Sequence, residues 1–425
     1  MKRMLYFSVF LIVLCSFAFV ATAKAVGSGG FENQVLSAKA LGMGNVFVAQ
    51  ADDPAAVYFN PAGLTQLDGI QLSLGTALLL PSFDYTSPLG VKDSADSETF
   101  VVPNFYASWK INESWSAGLG YYMNFGLATH WKDTSGVRYL ATDSEMTLYT
   151  LAPCAAYKVS DKLSLGLGIE YNMLTDITLQ KMVYTGSSPE GKSELSGDGD
   201  GIGGYLGIMY EIYENHTAGL TYRTSSKIDI DGDVKITNLA GLYTIPVPSG
   251  YGFPVNYSTT AQTDITLPPR LLLGYAWQCT EKVVVELDYE WTGWSTYNEI
   301  DIKYAETDLT RSAVLNTGNP EKKNWQDVSS VGLGTQYSLN DEWDIRCGWF
   351  YFESPVTQEY LNPSIPDSSK NGIALGAGYK IKDVVIDLAY SLLVSSDRDV
   401  VNNIAPGKYQ AQTNMAALNV TYKFK

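Results

Sequence analysis

The sequence predicts an all-β protein: a 14-stranded antiparallel transmembrane β-barrel with an N-terminal hatch, or plug, in its lumen. Three observations carry that prediction. From about residue 69 the chain falls into segments of roughly ten residues that alternate apolar and polar side chains, the length a tilted strand needs to cross a bilayer. The connections between these segments alternate strictly between short and long. Aromatic residues gather on the apolar faces near both ends of the segments.

Composition agrees with this class. Among 425 residues there are 45 acidic and 29 basic side chains, a net charge of −16, and only two histidines. The acidic balance argues against nucleic acid, whose phosphates would be repelled. So few histidines disfavour a His-based metal or acid–base enzyme. A mean hydropathy of −0.06 excludes a helical membrane bundle. It does not exclude a barrel, whose lipid-facing and lumen-facing residues average out.

Lys2 and Arg3 precede an apolar run from Met4 to Val20, and small residues follow through Ala25. This reads as a signal peptide over 1–25, cleaved after Ala23 or Ala25. Export of a barrel implies the bacterial outer membrane. Beyond that peptide only Cys154, Cys279 and Cys347 remain, an odd, scattered set that makes no disulfide framework.

Residues 26–68 do not alternate and are expected to form the hatch; 69–425 are expected to form the barrel. Asp52-Asp53-Pro54-Ala55-Ala56 could cap a short helix, and Asn60-Pro61-Ala62-Gly63 makes a turn.

The strands are expected near 69–80, 100–110, 114–124, 145–158, 162–175, 201–212, 216–230, 263–278, 281–293, 327–339, 342–352, 371–381, 384–394 and 411–424. Leu163 to Met173 illustrates the pattern: Leu163, Leu165, Leu167 and Ile169 share one face, Ser164, Gly166, Gly168 and Glu170 the other. The tight turns centre on Asn112-Glu113, Ser160-Asp161, Glu214-Asn215, Thr280-Glu281, Asn340-Asp341 and Lys382-Asp383. Beside them, on the apolar face by parity, stand Trp109, Trp115, Tyr157, Tyr210, Trp277, Tyr337, Trp343, Tyr379 and Tyr422. Toward the opposite ends lie Tyr121, Tyr171, Tyr222, Trp291, Trp349, Tyr351 and Tyr390. Two belts separated by apolar residues are what amphipathic rings at headgroup level produce. Short turns on one side and an even strand number place both termini in the periplasm. The acidic clusters Asp198-Gly199-Asp200 and Asp229-Ile230-Asp231-Gly232-Asp233 lack the bidentate Glu of a calcium loop and read as turns, so no metal or other cofactor is expected.

The stretch AKALGMGNVFVAQADDPAAVYFNPAGL (38–64) resembles the hatch of the FadL family of outer-membrane transporters of long-chain fatty acids and hydrocarbons. It includes that family's Asn-Pro-Ala signature at Asn60, Pro61 and Ala62. Further similar stretches, among them NFGLATHW (124–131), LPPRLLLGYAW (267–277) and WTGWSTYNEIDI (291–302), extend the resemblance over nearly the whole chain after the signal peptide.

The resemblance implies passive uptake of a hydrophobic molecule, long-chain fatty acids foremost. The cargo is captured at outer loops, held in an internal pocket, and released through the wall beside a kinked third strand as the hatch moves. It also implies a monomer in contact with outer-membrane lipid and lipopolysaccharide. Gly118, Gly120 and Gly126 are candidate kink positions. The loop 239–257 is apolar for an exposed segment, with Leu239, Leu242, Tyr243, Ile245, Val247, Tyr251 and Phe253 as a candidate capture groove. A carboxylate headgroup would need a lumenal cation. Parity offers Arg223, Arg270, Arg346 and Lys380, and Arg138 lies in a family-like stretch. Lumenal acids such as Glu170, Glu286, Asp288, Asp344 and Asp387 could instead pair with them, which leaves uncharged hydrocarbons open as cargo. His130 falls in an outer loop and His216 by a short turn, so no catalytic dyad is visible and no enzyme is expected. A non-transporting adhesin or receptor, using the long acidic loops, is the alternative from another class.

Overall fold

The structure is a computed structural model that describes residues 29–33, 35–186, 188–240 and 253–424. The expected signal peptide, 1–25, lies outside the described residues. Fourteen strands form one closed sheet: β1 (Ile70–Thr86), β2 (Phe100–Lys110), β3 (Trp115–His130), β4 (Asp143–Lys158), β5 (Leu163–Val183), β6 (Gly191–Tyr213), β7 (His216–Arg223 and Ser226–Thr237), β8 (Tyr257–Leu267 and Arg270–Thr280), β9 (Val283–Thr292), β10 (Val328–Ser338), β11 (Trp343–Phe352), β12 (Lys370–Ile381), β13 (Val384–Ser395) and β14 (Gly407–Phe424). Neighbours in sequence pair antiparallel, and β14 returns to β1 in a register running from Ile70 with Phe424 to Thr86 with Lys408. Closure satisfies backbone groups that lipid could not. Between the two halves of β8 sit Pro268 and Pro269, which have no N–H to donate to a ladder.

Period-two alternation sets the two faces. Leu167, Ile169, Ile202, Ile373 and Leu375 point to lipid, each more than half exposed. Around the short-turn end Trp109, Trp115, Tyr157, Tyr210, Trp277, Tyr337 and Trp343 are exposed. There the Trp115 and Tyr157 rings lie 4.7 Å apart, and those of Trp343 and Tyr379 4.5 Å apart.

β5 and β6 run for 21 and 23 residues, about twice the span a bilayer requires. They therefore project beyond it on the long-loop side. The acidic clusters read as turns lie in this projection instead, where Asp198 faces Asp231 and Asp200 faces Asp229 across β6 and β7. Residue type suggested turns, but each segment has a partner strand that composition does not reveal.

Residues 29–68 pack against the inner faces of the strands. Helix α1 (Ala38–Gly42), helix α2 (Ala56–Phe59) and a 3-10 turn (Pro61–Gln66) carry most of the ordered backbone. Ser37 caps α1 by accepting from Ala40 N. α2 begins at Ala56 rather than at the expected Asp52-Asp53: Asp53 folds back to accept from Ala55 N at 2.7 Å, and no side chain caps the helix. α1 lies against β11 to β14, and the 3-10 turn against β2 to β6. The barrel admits them through glycines. A Cβ at Gly348 would collide with Met43 and Gly44, and one at Gly207 with Asn60 and Pro61.

Candidate functional site

Asn60 is fully buried. Its Nδ2 donates to Val48 O at 2.9 Å and to Ile208 O on β6 at 3.0 Å, while its Oδ1 accepts from Ala62 N at 3.1 Å. One amide thus ties two parts of the N-terminal segment to the wall, and its geometry needs both donor and acceptor. Pro61 follows as the first residue of the 3-10 turn, where a missing N–H costs nothing.

Two lumenal carboxylates of β9 grip the same segment. Asp288 accepts from Phe47 N and Val48 N at 2.8 and 3.1 Å; Glu286 accepts from Ala49 N at 2.6 Å and Gln50 N at 3.2 Å. These acids serve the segment's backbone rather than an arginine.

The candidate headgroup cations are all engaged. Arg223 is paired with Glu170 and also donates to Tyr58 O. Arg270 sits 2.6 Å from Glu32 and 2.5 Å from Glu290, and donates to the Tyr58 hydroxyl at 2.7 Å. Arg346 pairs with Asp387 at 2.6 Å, Lys380 with Asp344 at 2.9 Å, and Arg138 with Glu190 at 3.0 Å. Arg223, Arg270 and Arg346 do face the lumen; Lys380 is partly exposed near a short turn, and Arg138 lies in an outer loop.

The wall is interrupted beside β3. β3 pairs with β2 only up to Tyr122, which faces Asn104. Beyond that point β2 continues along β1 alone, from Pro103 to Phe100. β3 stays on β4, with a register shift between Tyr122 and Phe125. The break therefore falls between Gly120 and Gly126. Gly118 and Gly120 give close approach: a Cβ at Gly118 would lie 2.7 Å from Leu64 and Val57, and one at Gly120 3.0 Å from Val57. The N-terminal tip occupies the vacated edge. Gly126 N donates to Phe31 O at 2.9 Å, Asn33 N to Asn124 O at 2.8 Å, and Asn33 Nδ2 to Met123 O at 2.7 Å.

Above the tip lies a cavity of about 200 Å³ lined mainly by apolar side chains, among them Phe31, Leu127, Met146, Ile177, Ile230, Ile265 and Tyr297. Lys181, Lys323, Glu145 and Glu321 are its charged members, and Lys323 is held by Glu321 at 2.6 Å. Phe31 joins cavity and break. Its ring is 4.6 Å from Trp294 and 5.3 Å from Tyr297, both edge-on, and 5.5 Å from Trp325 and 5.9 Å from Phe125, both tilted, forming an aromatic cage. Phe31 and its cage were not singled out in the sequence, since Phe31 lies outside any periodic segment. Of the capture loop, Leu239 and Phe253 are buried, with the Phe253 and Tyr257 rings 4.8 Å apart. Leu242, Tyr243, Ile245, Val247 and Tyr251 lie outside the described residues.

The chain was compared with known proteins. A family model described as outer membrane protein transport protein (OMPP1/FadL/TodX) matches residues 18–424. A long-chain fatty acid transport protein of Escherichia coli is 26% identical, over 86% of this chain and 87% of its own. A Pseudomonas aeruginosa FadL homologue superimposes with a TM-score of 0.79 at 18% identity, covering 93% of this chain and all of its own. The Pseudomonas putida toluene transporter TodX gives 0.70 at 18% identity, covering 95% and 99%. At such identity the structural likeness speaks for the fold.

Proposed function

The chain belongs to the OMPP1/FadL/TodX family of outer-membrane transport proteins, and from that membership we propose that it takes up hydrophobic small molecules, long-chain fatty acids foremost. It is an outer-membrane barrel. Cargo enters from the outer loops, rests in the cavity above Phe31, and leaves sideways through the break beside β3. The N-terminal segment is the hatch and Phe31 its tip. The observation that carries this reading is one residue's double position: Phe31 lines the apolar cavity while its carbonyl is bonded to the exposed edge of β3. A tip that withdraws uncovers both at once. Straight passage is less favourable, because the 3-10 turn and α2 pack against the inner wall on the way to the periplasm. Lateral release keeps apolar cargo out of water, needs no energy source, and fits a barrel that closes within one chain and works as a monomer beneath lipopolysaccharide.

A second reading, uncharged aromatic or aliphatic hydrocarbons, is favoured by two facts. Each proposed headgroup cation already has a carboxylate, and a cavity of about 200 Å³ suits one ring or a short alkyl stretch. An adhesin without a lumenal ligand accounts for neither the cavity nor the break. The test is to purify the protein in detergent, extract bound material with organic solvent and identify it by mass spectrometry. Near-stoichiometric fatty acid is expected; no retained lipid, and no binding of added fatty acid or toluene, would overturn the reading.

A further inference from the structure

The upper lips of the wall break meet at a side-chain cluster at the edge of the cavity, which Glu145 also lines. His130 ends β3 directly opposite Asp143, which begins β4. Glu145 stands two residues along, on the same side of the sheet. Glu98 comes from the β1–β2 connection, just ahead of β2, and that connection is anchored here because Asp96 N donates to His130 O at 2.8 Å. Three carboxylates thus surround one imidazole. Asp143 Oδ1 lies 3.1 Å from Nδ1, and Glu145 Oε1 and Glu98 Oε2 lie 3.3 and 3.5 Å from Nε2.

These contacts are close but not aligned as hydrogen bonds. His130 Nε2 and Asp143 Oδ1 are shielded from solvent and have no hydrogen-bond partner. A shielded ring nitrogen without a partner is costly, and so are carboxylates crowded together. A cation between them removes both costs. One donor atom each from His130, Asp143 and Glu145 lies within 4.8 Å of the others. The 3.3 and 3.5 Å separations from Nε2 also suit donors at tetrahedral angles on an ion with bonds of about 2.1 Å.

We propose that His130, Asp143 and Glu145 bind a divalent transition cation of the zinc type, which Glu98, 3.5 Å from His130 Nε2, joins from the opposite lip. Imidazole with carboxylates suits zinc better than calcium or magnesium, which take all-oxygen shells. Glu98 belongs to the β2 lip, and His130 and Glu145 to the β3–β4 lip. The cation therefore staples the top of the break and restrains its widening. That consequence rests on the lateral-exit reading; the binding does not.

The test uses full-length protein, chelator-stripped in detergent and titrated calorimetrically with Zn²⁺ and, separately, Ca²⁺. One Zn²⁺ per chain is expected, with Ca²⁺ at least tenfold weaker. His130→Ala should remove zinc binding, and Glu98→Gln should weaken it about tenfold or more. Zinc should also slow hydrogen exchange over 96–103 in the wild type but not in Glu98→Gln. Absent or substoichiometric zinc binding, or binding that survives His130→Ala, overturns the site; zinc binding without slowed exchange overturns the staple. Should His130→Ala fail to fold, Glu98→Gln, in a connection outside the strands, decides the matter. Fatty acid binding measured in parallel separates the two proposals, since its loss with zinc binding intact would sink only the transport reading.

Discussion

Glu32 ties the tip of the N-terminal segment to the wall through Arg270. It shares two arginines with two other acids: Arg270 faces Glu32 and Glu290, and Arg223 faces Glu170. Three carboxylates for two guanidiniums leave one negative charge uncompensated and away from water. Burial accordingly pushes the Glu32 carboxyl up to about 8, against the pull of Arg270. A docked tip then holds a proton that a free tip, with an ordinary carboxyl near 4.5, gives up at neutral pH. Docking is strongest below the free value and is lost as pH rises through about 8. We expect hydrogen-exchange protection of residues 31–33, corrected for intrinsic rates, to fall between pH 5 and pH 9, and Glu32→Gln to flatten that dependence. Protection that rises with pH would mean that the Arg270 pairing dominates. The sequence placed Arg270 in the lumen by parity and offered Glu170, Glu286, Asp288, Asp344 and Asp387 as alternative partners for the lumenal arginines, none of which is the partner of Arg270. It could not name Glu32, which lies in a segment without periodicity.

Between strands, the informative event is a pairing that stops. The sequence supplied fourteen strands and six short turns because a period of two and a repeated loop rhythm survive without knowledge of partners. It offered Gly118, Gly120 and Gly126 as kink positions, and β3 leaves β2 between Gly120 and Gly126. Glycine permits a bend, but here the bend follows from tertiary competition: β2 continues along β1, and Phe31 to Asn33 bond to the edge that β3 has freed. Such an exchange of partners leaves no local mark in sequence. It does give a sharp test, because Glu32 and Phe125 are bridge partners on antiparallel backbone, a spacing a disulfide can span. In a background lacking Cys154, Cys279 and Cys347, the pair Glu32→Cys with Phe125→Cys should form a disulfide when oxidised. Fatty acid uptake into reconstituted vesicles should then drop at least tenfold and return with reductant, while each single variant responds to neither. Unchanged uptake by the oxidised pair would show that cargo passes without moving the tip.

On the proposed reading, the barrel, the N-terminal segment and the cavity together set which cargo can dwell. The wall delivers Ile177, Ile230 and Ile265 to the cavity, which a sequence reading that turned apolar faces toward lipid did not show. Nor did it show the cage around Phe31: Trp294, Tyr297 and Trp325 come from one long connection and meet the tip only in three dimensions. The charge available to a headgroup was also hidden, because counting lumenal arginines does not reveal that each is spent on a carboxylate. Lys323 is buried and bound by Glu321, so it too is a poor candidate. Lys181 lines the cavity from an exposed position on β5, where a carboxylate could reach it while an alkyl chain lies over Ile177 and Ile230. A charge-assisted bond of that kind contributes about 1.5–3 kcal/mol, or roughly ten- to a hundredfold in affinity. Lys181→Met should therefore weaken fatty acid binding about tenfold or more while leaving toluene binding unchanged, as read by displacement of a fluorescent fatty acid from the detergent-solubilised protein. Equal affinity of the variant for both ligands, at wild-type levels, would instead identify the cavity as a site for neutral hydrocarbon, with the paired arginines serving to hold the hatch in the barrel.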